Sequence, residues 1–211
     1  MQFQVPCSII IGGPSQSGKT QFVYQLIKSQ LISPPVSKVI IFYAEWQPLY
    51  DLIHKESHIP VEFYKGFQES VIETLTGLEP TLIIIDDLMD MIPKTPSITH
   101  LFTKTVHHRN LCVVLIVQNL FEKYLRTLSL NAQYIVVYKS VRGAQQIHYL
   151  GTQLGCASFL SEIYRDATIN PYSYLLIDLH PATPDQLRYR TNIFAENGDL
   201  NQQAYIRRTT S

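Results

Sequence analysis

Apolar residues along this chain gather in short unbroken runs, separated by stretches where they recur every three or four positions. Val5 to Ile11 reads as a buried strand, and Phe22, Val23, Leu26 and Ile27 then fall on one helical stripe between Gln21 and Leu31. Lys38 to Tyr43 (KVIIFY) forms a second strand, with a short extra one at Val61 to Tyr64 and a helix marked by Phe67, Val71, Ile72 and Leu75. Thr81 to Asp86 (TLIIID) and Leu111 to Val117 (LCVVLIV) do not alternate with polar residues, so they are expected to be central strands buried on both faces. Between them Pro93 and Pro96 break the chain before a helix carrying Ile98, Leu101, Phe102 and Val106. A helix with Phe121, Tyr124, Leu125 and Leu128 precedes the strand Tyr134 to Tyr138. Ile147, Leu150 and Leu154 share a helical face, and Phe159 to Tyr164 continues helically. Leu175 to Leu179 and Tyr189 to Phe194 pattern as a closing hairpin around a proline-bearing loop.

Strands alternating with helices predict an α/β fold with a mostly parallel central sheet flanked by helices, ending in a C-terminal β-hairpin. With no repeats and no linker, residues 1–196 read as one domain, and the polar residues 197–211 as a frayed, flexible tail. At 211 residues the chain can bury roughly 70% of its unfolded surface. Its 17 basic and 17 acidic side chains cancel, so any grip on nucleic acid must be local rather than a global attraction. Cys7, Cys112 and Cys156 lie far apart without metal-ligand spacing, as buried reduced thiols of an intracellular protein would. No apolar run approaches the roughly 18 residues of a membrane span, and the N-terminus lacks the charged start of a signal peptide.

Between the first strand and the first helix stands Gly13-Pro14-Ser15-Gln16-Ser17-Gly18-Lys19-Thr20, which matches the phosphate-cradling P-loop. Strand, glycine loop and helix is the setting the motif needs. Backbone N–H groups close on phosphate oxygens, and the helix N-terminus adds partial positive charge. Lys19 would reach the β- and γ-phosphates of ATP, and the Thr20 hydroxyl would ligate Mg²⁺.

Ile83-Ile84-Ile85-Asp86-Asp87 brings two carboxylates to a strand's C-terminal end, where open α/β sheets bind ligands. Asp86 is expected to hold Mg²⁺ opposite Thr20, and Asp87 to act as general base on the attacking water. Gln118 ends the next central strand. If that strand lies between those of the P-loop and Asp86, its amide faces the γ-phosphate and can orient water. Asn119 beside it suits a helix cap. Arg109, within His107-His108-Arg109-Asn110, sits at the opposite sheet end from its own P-loop, within reach of a neighbouring subunit's nucleotide. Arg142 follows the Tyr134–Tyr138 strand on the same edge as Lys19, suited to a nucleotide or interface role. Either arginine could equally be an ordinary surface residue, and exposed helix-end positions are the default for His107 and His108.

The blocks GPSQSGKT, IIIDDL, HHRNLCVVLIVQNLF, YIVVYKSVRGAQQI and YSYLLIDLHPATPDQLRYRTNIF, in that order from about Cys7 to Phe194, resemble those of the genome-packaging ATPases of Polinton/Maverick elements, virophages and related large DNA viruses. These are similar to the poxvirus packaging ATPase and belong to the FtsK–HerA branch of P-loop motors. The resemblance implies a RecA-like (ASCE) P-loop NTPase that hydrolyses ATP to drive double-stranded DNA into a preformed capsid. It implies Asp86 and Asp87 as the metal-binding and water-activating acids, Gln118 as phosphate sensor and Arg109 as an arginine crossing a subunit boundary. One departure is Ser140-Val141-Arg142-Gly143 where the family often has Asn-Pro-Arg-Asp; Arg142 is kept, its flanking Pro and Asp are not. The expected partners are DNA (gripped without sequence preference, with Lys94 and Lys104 as candidate contacts), further copies in a homo-oligomeric ring, and a capsid vertex or portal, with no membrane. The expected location is the host nucleus or a cytoplasmic viral factory, transiently at the capsid. Two other readings fit a 211-residue chain with an N-terminal P-loop: a small nucleotide kinase, and a non-hydrolytic ATP-binding scaffold or DNA-binding protein. A kinase needs a lid rich in arginines, and Val113 to Tyr138 holds only Arg126.

Overall fold

The computed structural model describes residues 1–194 and 201–207. Among the described residues nine strands form one sheet: β1 (Cys7–Gly12), β2 (Lys38–Tyr43), β3 (Val61–Lys65), β4 (Thr81–Asp86), β5 (Leu111–Val117), β6 (Tyr134–Tyr138), β7 (Tyr174–Asp178), β8 (Tyr189–Thr191) and β9 (Gln203–Ala204). Their order is β9-β8-β7-β6-β1-β5-β4-β2-β3. From β6 to β3 every pairing is parallel, whereas β7, β8 and β9 add on antiparallel. A small parallel ribbon, Phe3–Gln4 with Ile32–Ser33, lies apart from this sheet.

The unbroken apolar runs are explained by two covered faces. Every residue of β1, β4, β5 and β6 is buried. Alternate side chains divide between two cores. Ile9, Ile11, Val39, Ile41, Ile84 and Val114 pack against α1 (Lys19–Lys28) and α2 (Pro48–Glu56) through Phe22, Leu26, Tyr50 and Ile53. Ile10, Ile40, Ile83, Ile85, Val113 and Leu115 face the other way. There they meet α3 (Glu69–Glu73), α4 (Pro96–His100), α5 (Arg126–Asn131), α6 (Ala144–Gln153) and α7 (Ala157–Ala167). Each such Ile or Leu contributes about 1.5–3 kcal/mol by leaving water. α4 runs on through a widened π-turn, Leu101–Thr105, that keeps Leu101 and Phe102 in this core.

β5 does lie between β1 and β4, so the Gln118 strand stands between the P-loop strand and the Asp86 strand. The same pairing sets Cys7 opposite Cys112 with their sulfurs 3.4 Å apart, although they are distant in sequence. All three cysteines are free and buried. The Cys7 thiol is pushed well above its ordinary pKa by its bond with Cys112 and by burial, which keeps it protonated.

The C-terminal segment departs from expectation. Residues 195–200 and 208–211 of the expected domain end and flexible tail lie outside the described residues. Within the tail, however, Gln203–Ala204 pairs with β8 as the sheet's edge strand, and the Tyr205 hydroxyl donates to Asp166 at 2.7 Å. Edge pairing is made by backbone groups, so a polar sequence forms it without an apolar signal. No helix among the described residues is long and apolar enough to cross a membrane.

Candidate nucleotide site

The chain leaves β1 at Gly12 and turns through Gly13 to Gly18 before α1 begins at Lys19. Gly18 takes φ 103°, a left-handed value that favours glycine. Gly13 is required for space: a Cβ there would lie 2.7 Å from the Tyr138 Cβ and 2.8 Å from the Ser17 Oγ. That Oγ is buried and has no hydrogen-bond partner among the described residues. A tight glycine cradle holding an orphaned hydroxyl fits a phosphate group. Inside the loop, the Lys19 ammonium donates to the Gly13 and Pro14 carbonyls, both at 2.7 Å. Burial lowers its pKa, opposed by the charges of Asp86 and Asp87.

Across the cavity, Asp86 ends β4 and is buried. Its Oδ2 accepts from the Tyr50 hydroxyl at 2.7 Å, from Thr20 Oγ1 at 3.3 Å and from Gln47 Nε2 at 3.3 Å. Burial raises its pKa; the bonds from Tyr50 and Thr20 work against that, and Asp87 adds to it. Tyr50 is itself held far above the usual phenol range, by burial and then by Asp86, so it stays a donor. Thr20 and Asp86 thus bring two hard oxygen donors together, a set that suits Mg²⁺.

Asp87 is exposed and adopts φ 56°, a left-handed conformation that turns the chain just past the strand end. Its Oδ1 accepts from Gln118 Nε2 at 3.0 Å. The P-loop from Ser15 to Thr20, Gln47, both aspartates, Gln118 and Tyr172 line one cavity of about 340 Å³. A cavity of about 400 Å³ lies elsewhere, between the C-terminal ends of α1 and α2, where Tyr24 and Lys28 both bond Glu56. It has no phosphate-binding loop, so the chemistry is assigned to the smaller one.

Two sequence-selected residues are not gathered here. Arg109 precedes β5, at the far end of that strand, and its Nη1 donates to the Ile72 carbonyl at 2.6 Å. Its backbone also crowds Gly77, where a Cβ would come within 2.8 Å of the Arg109 Cα. Arg142 stands in the loop after β6, on the cavity's side of the sheet, exposed and without hydrogen bond or ion pair among the described residues. Lys94, Lys104, His107 and His108 are exposed. Asn119 Oδ1 accepts from the Phe121 backbone at 3.1 Å, shaping the turn into the next helical segment.

Sequence reasoning missed Gln47, Tyr50, Tyr138 and Tyr172. The rule that singled out Asp86 and Gln118, proximity to a strand's C-terminal end, applies equally to Gln47 just after β2. Tyr50 lies on α2, a helix that the sequence reading did not mark, and nothing in the pattern reveals where its hydroxyl ends. Tyr138 presses against Gly13 and donates its hydroxyl to the Gly18 carbonyl at 3.1 Å.

Neither the known family models nor the curated proteins match this sequence. Solved structures do share its fold. The DNA-packaging ATPase B204 of Sulfolobus turreted icosahedral virus superposes with a TM-score of 0.56 at 13% identity, covering 85% of this chain and 95% of that one. The genome-packaging NTPase B204 of Sulfolobus turreted icosahedral virus 2, solved with ATP-gammaS, gives a TM-score of 0.54 at 16% identity over 84% of this chain and 95% of that one. Its complex with AMP gives 0.53 at 16% identity, with coverage of 84% and 96%. The chain has the α/β fold of P-loop ATPases, with a mostly parallel central sheet flanked by helices.

Proposed function

We propose that this chain is a viral genome-packaging ATPase, hydrolysing ATP to translocate double-stranded DNA into a preformed capsid. The observation that carries the hydrolase reading is one cavity joining the Lys19 loop, the Thr20–Asp86 pair and the Asp87–Gln118 pair. Lys19 exchanges its two loop carbonyls for β- and γ-phosphate oxygens. Gln118 orients a water, and Asp87 takes its proton as the water oxygen bonds to the γ-phosphorus. The bond from that phosphorus to the β,γ-bridging oxygen breaks, leaving ADP and phosphate. Mg²⁺, held by Thr20 and Asp86, would neutralise charge on the β- and γ-oxygens.

The packaging step is supported by the fold shared with viral packaging NTPases and by the order of the sequence blocks. In a head-to-tail ring, Arg109 gives up the Ile72 carbonyl to reach the neighbouring protomer's triphosphate, and Arg142 serves the nucleotide or the interface. Lys94 and Lys104 bind DNA phosphates without reading sequence. The ring works at a capsid vertex or portal in the nucleus or a cytoplasmic viral factory.

The test follows the γ-phosphate of labelled ATP with and without double-stranded DNA. Transfer to water, stimulated by DNA and weakened by salt, is expected. Transfer to a nucleoside monophosphate would instead make the protein a kinase, and no turnover with DNA and capsid shells would make it a scaffold. Mixing Asp87→Asn with Arg109→Ala protomers tests the ring, because complementary subunits regain working sites only if Arg109 acts across a boundary.

A further inference from the structure

Resting on the nucleotide-binding reading above, we infer that Tyr172 is the platform on which the base of the bound nucleoside triphosphate stacks. It is the one aromatic side chain among the described residues that line the cavity, and it is 72% exposed. Its ring flanks the last glycine of the cradle: a Cβ on Gly18 would sit 3.6 Å from the Tyr172 Cβ and 3.7 Å from its Cδ1.

Sheet order gives the direction. Asp86 ends β4, Asp87 follows it and Gln118 follows β5, on one side of β1, whereas Tyr172 precedes β7 on the other side. A triphosphate with its γ end at Asp87 and Gln118, lying across the loop after β1, carries its base toward β7. Tyr172 waits at that end.

The backbone supports a selected position. Tyr172 holds φ 63°, a left-handed conformation that bulky side chains seldom adopt. The turn is closed by Ser173, whose backbone N–H and hydroxyl both reach the Asn170 carbonyl, at 3.4 and 2.7 Å. Two residues on, Tyr174 is buried and packs edge-on against Phe22, 5.0 Å between ring centroids. The turn therefore sends one tyrosine into the core and leaves the other in solvent beside the phosphate loop. Backbone strain that presents an exposed ring to a ligand cavity is the pattern of a binding residue. Because every base has a π-face, the platform favours nucleosides over bare polyphosphate and discriminates weakly between bases.

The experiment compares parent, Tyr172→Gly and Tyr172→Phe by calorimetry with ATP and with inorganic tripolyphosphate. Glycine accepts the left-handed turn, so its effect reports loss of the ring rather than of the fold. ATP binding by Tyr172→Gly is expected to weaken roughly 5- to 100-fold, with tripolyphosphate binding within about twofold of the parent. Tyr172→Phe should match the parent in ATP affinity, and Tyr172→Gly should raise KM for ATP by the factor by which it weakens ATP binding. Parental ATP affinity in Tyr172→Gly, or equal losses for ATP and tripolyphosphate, would overturn the platform while leaving the nucleotide site standing. A parent protein that binds neither ligand would overturn both.

Discussion

Replacing Asp87 by asparagine removes one negative charge and little else. At φ 56° most side chains would be strained, but asparagine tolerates this conformation as well as aspartate does. The amide oxygen can still accept from Gln118 Nε2, now 3.0 Å from Oδ1, so the neighbouring strand keeps its partner. What vanishes is the capacity to take a proton from water. A positioned general base contributes roughly 10²–10⁴ in rate, equivalent to about 2.7–5.5 kcal/mol on the barrier. Steady-state phosphate release by Asp87→Asn should therefore fall by roughly that factor. ATP affinity, measured by calorimetry, should hold or rise, since a carboxylate facing the triphosphate has been neutralised. Thermal stability should not move, because Asp87 is exposed and makes no ion pair among the described residues. Turnover within about threefold of the parent would refute the assignment of Asp87 as base. Loss of ATP binding instead would mean that the side chain shapes the cradle rather than activating water.

Tyr50 makes the shortest bond to Asp86, from a buried hydroxyl 2.7 Å away. Tyr50→Phe should raise the Mg²⁺ concentration for half-maximal ATP turnover by roughly 10- to 100-fold, as loss of a ligand-orienting partner does, while the rate at saturating Mg²⁺ stays near parental; an unchanged Mg²⁺ midpoint would count against it. Far from the cavity, Arg190 and Asp178 form an ion pair buried on both sides. Arg190→Met leaves the Asp178 charge in the core and should cost about 3–5 kcal/mol in urea unfolding. The double variant Asp178→Asn, Arg190→Met should recover part of that loss, and a single-variant cost below about 1 kcal/mol would show the pair to be solvated.

Much of this arrangement was legible in the sequence because its signals are local. An apolar run without alternation marks a strand covered on both faces, and β1, β4 and β5 are buried throughout. The Gly13–Thr20 loop carries its own geometric demand, since glycine is needed where Tyr138 and Ser17 leave no room. Contacts that depend on register or on the far end of a helix left no such trace. The Cys7–Cys112 neighbours follow from the pairing of β1 with β5, and the Tyr50 hydroxyl reaches Asp86 from a helix 36 positions earlier in the chain. Arg109 illustrates a different limit. Its position at the far end of β5 was readable, but its bond to the Ile72 carbonyl was not, because a backbone acceptor has no side-chain signature.

The adjacent aspartates show how one strand end can supply two roles. Asp86 is the last residue of β4, and the two-residue period of the strand points it into the face shared with α1 and α2. There three donors converge on a single oxygen, fixing the carboxylate in a dry setting that suits a metal ligand. One residue later the strand has ended and the backbone turns left-handed, so Asp87 emerges into solvent, where Gln118 is its side-chain partner among the described residues. A carboxylate held by one neutral amide can shift toward a bound water, whereas one gripped by three donors is fixed in place. The difference in environment, rather than in chemistry, separates the proposed metal-holding group from the proposed base. That separation requires the chain to turn between the two residues. A substitution at position 87 that forbids positive φ, such as Asp87→Val, should therefore disturb the Asp86 site as well, weakening Mg²⁺ dependence where Asp87→Asn leaves it intact.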